Sequence, residues 1–366
     1  MNFKTIINIL AALLIVMGIS MLMPLLISYM YGEPDFSGHL KSSIICFCLG
    51  LPIWYITRKN RSLSSKDGFA IVSLAWLLVA LTGTFPFYFT ESITSFTDAW
   101  FESMSGVTTT GSSILSDIEI LPHGVLFWRS FLQWIGGMGI IVFTIAILPL
   151  LGVGGVQLFK AEVPGPVADK IRPRVKETAK ILWMVYIGFT AFETILLAAF
   201  GMPLFDAVCH SFTTMPTGGF STQNASLGAY ESNAIQYIVI IFMFIAGANF
   251  TLHFRAITGN FKSYSKDSEF LTYFGIIILT SILIFANINA ASQSWSHDTF
   301  LDSLFQTVSI ITTTGFGTSD YELWPFFSQF LIIILMFVGG MGGSTGGGMK
   351  IARIILLIKF AATETR

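Results

Sequence analysis

The chain has 366 residues, 53% of them hydrophobic and 11% charged, with a mean hydropathy of +0.72 and a formal net charge of -1. A soluble domain carries about 25% charged residues, so this chain lacks the polar side chains to cover a water-facing surface, and lipid is its solvent. The small net charge leaves no nucleic-acid footprint. Cys46, Cys48 and Cys209 lack the spacing of a disulfide framework or a zinc site and read as small apolar core residues.

A helix needs about 20 apolar residues to cross a bilayer. The first such stretch, about 5–30, follows Lys4. It is longer than the h-region of a signal peptide and has no evident cleavage site, so it reads as a membrane span. Further spans are expected at 40–57, 69–90, 125–151, 180–201, 233–257, 270–290 and 326–359. With the N-terminus inside, Lys4, Arg58, Lys59, Arg61 and Lys66 fall on the inner side. So do the basic residues from Lys160 to Lys180, then Arg255, Lys262, Lys266, Lys350, Arg353, Lys359 and Arg366. That is 18 of the 20 Lys and Arg, with Lys41 and Arg129 outside, which fixes the expected orientation. Mixed segments near 93–120, 203–230 and 298–322 are too short or too polar to span. They read as re-entrant pieces entering from the outer side.

Those three segments repeat. The run from Asp98 to Gly111 ends in Thr-Thr-Thr-Gly. The run from Asp206 to Gly219 ends in Pro-Thr-Gly-Gly and continues to Phe220, and the run from Asp302 to Gly315 ends in Thr-Thr-Thr-Gly and continues to Phe316. The Asp-to-Gly spacing is 13 in each, and the starts lie 108 and 96 residues apart. The repeating unit is helix, short re-entrant helix, Thr/Gly turn, helix. Asp98, Asp206 and Asp302 are expected to cap their short helices. The negative C-terminal end of each helix would face the membrane centre, where it favours a cation. Small residues let backbone carbonyls line a narrow path, and rings of carbonyls can replace the water shell of potassium. No ring of Asp or Glu marks the turns, which argues against a divalent-cation filter.

After the third turn, seven of the ten residues from Gly339 to Gly348 are glycine: Gly339, Gly340, Gly342, Gly343, Gly346, Gly347 and Gly348, with Ser344 and Thr345 among them and Lys350 just beyond. Each glycine costs about 1 kcal/mol against Ala in a helix, so the stretch is expected to be unwound inside the membrane and to form a flap under the filter. It is not a phosphate-binding loop, since no strand precedes it and Lys350 is out of place for one. Milder versions are Gly136-Gly-Met-Gly139, for which close helix packing suffices, and Ala246-Gly-Ala-Asn249. Glu193 within a span and Glu102 in the first short helix are intramembrane carboxylates. Glu193 is read as a hydrogen-bond partner of a neighbouring Ser or Thr, with a proton relay or second ion site as the alternative. His210 and His253 read as packed polar residues. No G-x-S-x-G surrounds Ser344, and no enzyme is expected.

The three turns, with the Gly-rich stretch through Lys350 and Arg353, resemble the degenerate filter loops and broken helix of the TrkH/KtrB potassium transporter family. The resemblance covers the whole chain and is closest to the TrkH branch. It implies an all-α polytopic membrane protein of repeated helix–pore helix–filter loop–helix units around a quasi-fourfold pore. Residues 1–60 would be an extra N-terminal helix pair, and 61–160, 161–262 and 263–366 three pore repeats. By that resemblance Thr109, Thr110 and Gly111, Thr217, Gly218, Gly219 and Phe220, and Thr313, Thr314, Gly315 and Phe316 would form the potassium-binding filter. The Gly-rich loop would be the gate. The implied function is potassium uptake across the bacterial inner membrane, with potassium as cargo and no organic cofactor. A homodimer in lipid and a cytosolic nucleotide-binding subunit of the TrkA type, docking on the charged inner loop 159–180, are implied too. A fourth repeat would begin near position 400, so a fragment of a longer transporter is expected. The competing reading is a sodium- or proton-coupled secondary transporter, which broken helices also suit. The parallel sense of the repeats favours the pore.

Overall fold

The computed structural model describes residues 2–58, 65–137, 139, 175–292 and 295–364. The inner half of the expected span 125–151, Lys59, Arg61, the basic residues Lys160, Lys170, Arg172 and Arg174, and Arg366 lie outside the described residues. The described part is helical with no strand; the chain divides into two compact units, Met1–Val163 with Lys170–Trp183, and Pro164–Asp169 with Met184–Arg366.

The first unit contains α1 (Phe3–Ser20), α2 (Leu22–Tyr31), α3 (Phe36–Thr57), α4 (Ser65–Phe89), α5 (Phe96–Val107) and α6 (His123–Gly137). Lipid tails are as apolar as these side chains, so contact has to come from close packing and hydrogen bonds. Ser43 donates to the Gly18 carbonyl at 2.8 Å, joining α3 to α1 beside the fully buried Cys46. Cys48, one face away, is exposed, so only Cys46 and Cys209 meet the core expectation. The short α5 is held in the bundle by Ser103, whose hydroxyl donates to the Ala80 carbonyl of α4 at 2.7 Å. Trp128 of α6 reaches the Gly83 carbonyl of α4 at 2.9 Å. Gly136 lies so close to the Val107 carbonyl that a Cβ there would overlap it, the close packing expected of this stretch.

The chain continues with α7 (Val175–Ala199), whose Ala179–Ala199 part is one of five described helices long and apolar enough to cross a membrane. The others are Phe3–Tyr31, Phe36–Thr57, Asp67–Phe89 and Ser268–Ser292. The rest of the second unit is α8 (Leu204–Thr214), α9 (Asn233–Ala246), α10 (Phe250–Ile257), α11 (Lys262–Lys266), α12 (Ser268–Ser292), α13 (His297–Ile311), α14 (Phe326–Phe337) and α15 (Ile351–Glu364). Two expected spans are broken. The stretch 233–257 bends by 104° between α9 and α10. There Asn249 accepts from the Thr251 amide at 2.8 Å and starts a new helix, while His253 bonds back to the Ile245 carbonyl at 2.8 Å. The stretch 326–359 is the short α14, a loop from Val338 to Lys350, and α15. Apolar side chains such as Leu271, Phe274, Leu279 and Ile282 of α12 are exposed, the face a membrane helix shows to lipid.

Candidate functional site

All three short helices expected between the spans exist: α5, α8 and α13, each ending in its Thr/Gly turn. Their ends are built alike. In the first, the Thr109 amide donates to the Gly106 carbonyl at 3.0 Å and the Thr110 amide to Ser105 at 2.9 Å. In the second, Thr217 donates to Thr214 at 2.8 Å and Gly218 to Thr213 at 2.9 Å. In the third, Thr313 donates to Ile310 and Thr314 to Ser309, both at 2.9 Å. These bonds satisfy last-turn carbonyls that a helix end leaves open.

The backbone angles repeat as well. Gly111, Gly219 and Gly315 have φ of 78°, 76° and 83°. Thr109, Thr217 and Thr313, two residues earlier, are also left-handed, with φ of 54°, 57° and 59°. A β-branched residue there is an outlier that costs on the order of 1–3 kcal/mol and persists only where its surroundings enforce it. The sequence signal was present: the pattern shared by all three turns is Thr-x-Gly, not merely Gly.

The expected caps are corrected. Ser95 is the N-cap of α5, accepting from the Asp98 amide at 3.4 Å, and Asp98 itself is exposed in the first turn. Pro203 holds the N-cap position of α8, with Asp206 in its first turn. Ser296 caps α13, and Asp302 sits a turn further in. Two of these carboxylates brace the outward limb of the turn instead. Asp206 accepts from the Thr222 hydroxyl and Asp302 from the Thr318 hydroxyl, both at 2.7 Å and both 16 residues apart. The first repeat has Ile114 at that place and uses Glu102. This carboxylate accepts from the Ser113 hydroxyl at 3.0 Å and the Ile114 amide at 3.1 Å, and pairs with the buried Arg129 at 2.8 Å. The equivalent residues are His210, which bonds Ser221 at 2.9 Å, and Gln306, which donates to the Ser319 carbonyl at 2.9 Å.

Within the second unit, the second and third turns stand side by side. A Cβ on Gly219 would overlap the Thr314 carbonyl oxygen, so only glycine permits this approach. The Gly228 amide donates to the Gly317 carbonyl at 3.0 Å. The Phe316 carbonyl accepts from the Ser309 hydroxyl at 2.6 Å, and its ring is buried against His210. Glu193 is buried facing Thr214 of the neighbouring helix, the kind of hydroxyl expected as its partner, and that hydroxyl also lies 2.8 Å from the His210 carbonyl.

The Gly-rich stretch is unwound, as expected, and has an ordered path. Its ends pair through Gly339, whose amide donates to the Met349 carbonyl at 2.9 Å. It packs into the bend between α9 and α10: the Met341 amide donates to Gly247 at 2.9 Å and Gly343 accepts from the Phe250 amide at 3.1 Å. It also touches the second and third Thr/Gly turns. The Thr345 hydroxyl donates to the Met215 carbonyl at 2.9 Å, and the Gly347 amide to the Thr313 hydroxyl at 2.6 Å. Gly346 comes so close to the third turn that a Cβ would stand 2.9 Å from the Thr312 carbonyl oxygen. Lys350 donates to the Gly346 carbonyl across the loop.

The family model of TrkH, described as a cation transport protein, matches residues 37–366. The chain belongs to the TrkH family. Among curated relatives, it is 43% identical to the Trk system potassium uptake protein TrkH of Salmonella typhimurium strain LT2 and 42% identical to that of Escherichia coli K12. Each alignment covers 100% of this chain and 77% of the relative. Its fold matches the crystal structure of the potassium transporter TrkH from Vibrio parahaemolyticus with a TM-score of 0.87 and 40% identity, over 100% of this chain and 76% of that one. The all-α membrane architecture is thus that of the TrkH family, and the relatives are named as potassium transporters rather than enzymes.

Proposed function

We propose that this chain carries potassium inward across the bacterial inner membrane, through a path lined by its Thr-x-Gly turns and closed from within by the Gly-rich loop. The observation that carries the reading is the recurrence of one backbone design three times. A re-entrant helix ends in a left-handed Thr, then a residue with negative φ, then a left-handed Gly. Alternating handedness turns successive carbonyls toward one side, and each helix presents the negative end of its dipole to its own turn. Thr109, Thr110, Gly111, Thr217, Gly218, Gly219, Thr313, Thr314 and Gly315 form the filter in this reading. The gate assignment is supported by the contacts of Thr345 and Gly347 with the second and third turns. The distribution of Lys and Arg supports a cytoplasmic N-terminus. The names of the relatives, as parts of a Trk system, support a cytosolic regulatory partner of the TrkA type. A homodimer follows from the family resemblance.

The test is growth of a potassium-uptake-deficient bacterium on limiting potassium. Expression of the transporter is expected to restore growth, and Gly219→Ala is expected to abolish the rescue at equal membrane abundance. Failure of the complete four-repeat transporter to rescue, despite normal insertion, would overturn the assignment.

A further inference from the structure

The Gly-rich loop has little side-chain mass with which to hold itself in one place, and glycine gives up more conformational freedom on ordering than any other residue. Something else must fix its inner half. Glu269, in the first turn of α12, reaches it from 73 residues away in sequence: one oxygen, Oε1, accepts from the Gly342 amide at 2.8 Å. The same oxygen accepts from the Ala352 amide at 3.1 Å. These two donors flank the loop. Gly342 belongs to its descending limb, and Ala352 to the first turn of α15, where amides lack helical partners and the dipole favours an anion. Between them lie Gly343 to Ile351, which include the residues that meet the second and third turns.

We propose that Glu269 is the latch of this loop, a positioning residue that sets its balance between closed and released arrangements. The proposal rests on the reading of the loop as a gate. The loop's contacts with the filter, through Thr345 and Gly347, are hydrogen bonds between neutral groups. The two bonds to Glu269 are charge-assisted and individually about twice as strong. Both converge on one oxygen, so a single side-chain movement frees both limbs together. The filter turns keep their own bonds when that happens, so release changes conduction without altering selectivity.

The test compares Glu269→Ala and Glu269→Gln with the parent transporter in lipid nanodiscs and in liposomes. Glu269→Gln keeps an acceptor oxygen and removes the charge. Backbone hydrogen exchange over 340–352 is expected to rise about tenfold in Glu269→Ala and about threefold in Glu269→Gln. Exchange at 309–317 should stay unchanged. Potassium leak from loaded liposomes should rise in the same order, with the preference for potassium over sodium retained. Unchanged exchange over 340–352 in both variants would overturn the latch. Faster exchange with unchanged leak would leave the latch standing and overturn the gate reading on which it rests. Loss of folding in Glu269→Ala, with Glu269→Gln identical to the parent in both measurements, would make the residue structural and also overturn the proposal.

Discussion

The first and third Thr-x-Gly turns have the same backbone and different braces. Thr109 and Thr313 differ in φ by a few degrees, as do Gly111 and Gly315, and Thr108 and Thr312 each pair through their hydroxyls with the Thr two residues on, at 2.7 Å. Behind the third turn stands a carboxylate–hydroxyl bond, Asp302 to Thr318, and an amide, Gln306. Behind the first stands a buried ion pair, Glu102 with Arg129, which also ties down Ser113 and Ile114. The difference teaches that the turn is set by its helix end and its left-handed Thr. The scaffold behind it has only to be satisfied, and can be satisfied with different chemistry.

The strongest way to sharpen that comparison is to break the first brace. Glu102→Ala leaves Arg129 buried and without its carboxylate, a loss of about 3–5 kcal/mol. Thermal unfolding in detergent should show a collapse in stability. An effect no larger than that of Asp302→Ala would mean that the two braces are equivalent in energy as well as in role.

The next effect separates the glycines. Gly219→Ala adds an overlap with the Thr314 carbonyl oxygen to the strain of φ 76°. Gly315→Ala meets no atom within 4 Å and carries only the strain of φ 83°, about 1 kcal/mol. Potassium uptake should be lost in the first and partly kept in the second. Equal losses would show that φ alone decides and that the approach of the two turns is unimportant.

The smallest effect concerns the hydroxyl braces. Thr318→Val removes the bond to Asp302 and should cost about 1 kcal/mol, with uptake little changed. Thr222→Val should behave alike through Asp206. A cost as large as that of Glu102→Ala would contradict the ranking.

Five of the spans and the three turns were legible because hydropathy and a 13-residue spacing depend on composition and register alone. The stretch Ala246–Asn249 was marked as a milder version of the Gly-rich break, but its 104° bend was not legible, since it depends on Asn249 winning a capping contest that hydropathy does not register. The Asp residues looked like caps because they open each repeat, yet Ser95, Pro203 and Ser296 come earlier and take that place. The carboxylates then bond to a Thr 16 residues later, a distance at which no local propensity speaks. Glu269 carried no signal, as its partners lie beyond the third turn.

The central claim is that the Thr-x-Gly turns select the ion, and Gly315 tests it most directly because its turn has room for a side chain. The measurement is the potassium-to-sodium flux ratio of the transporter in liposomes, before and after Gly315→Asp, at equal insertion. The account predicts a clear potassium preference in the parent and its loss in the variant. A variant that inserts normally and keeps the parent's preference would contradict it.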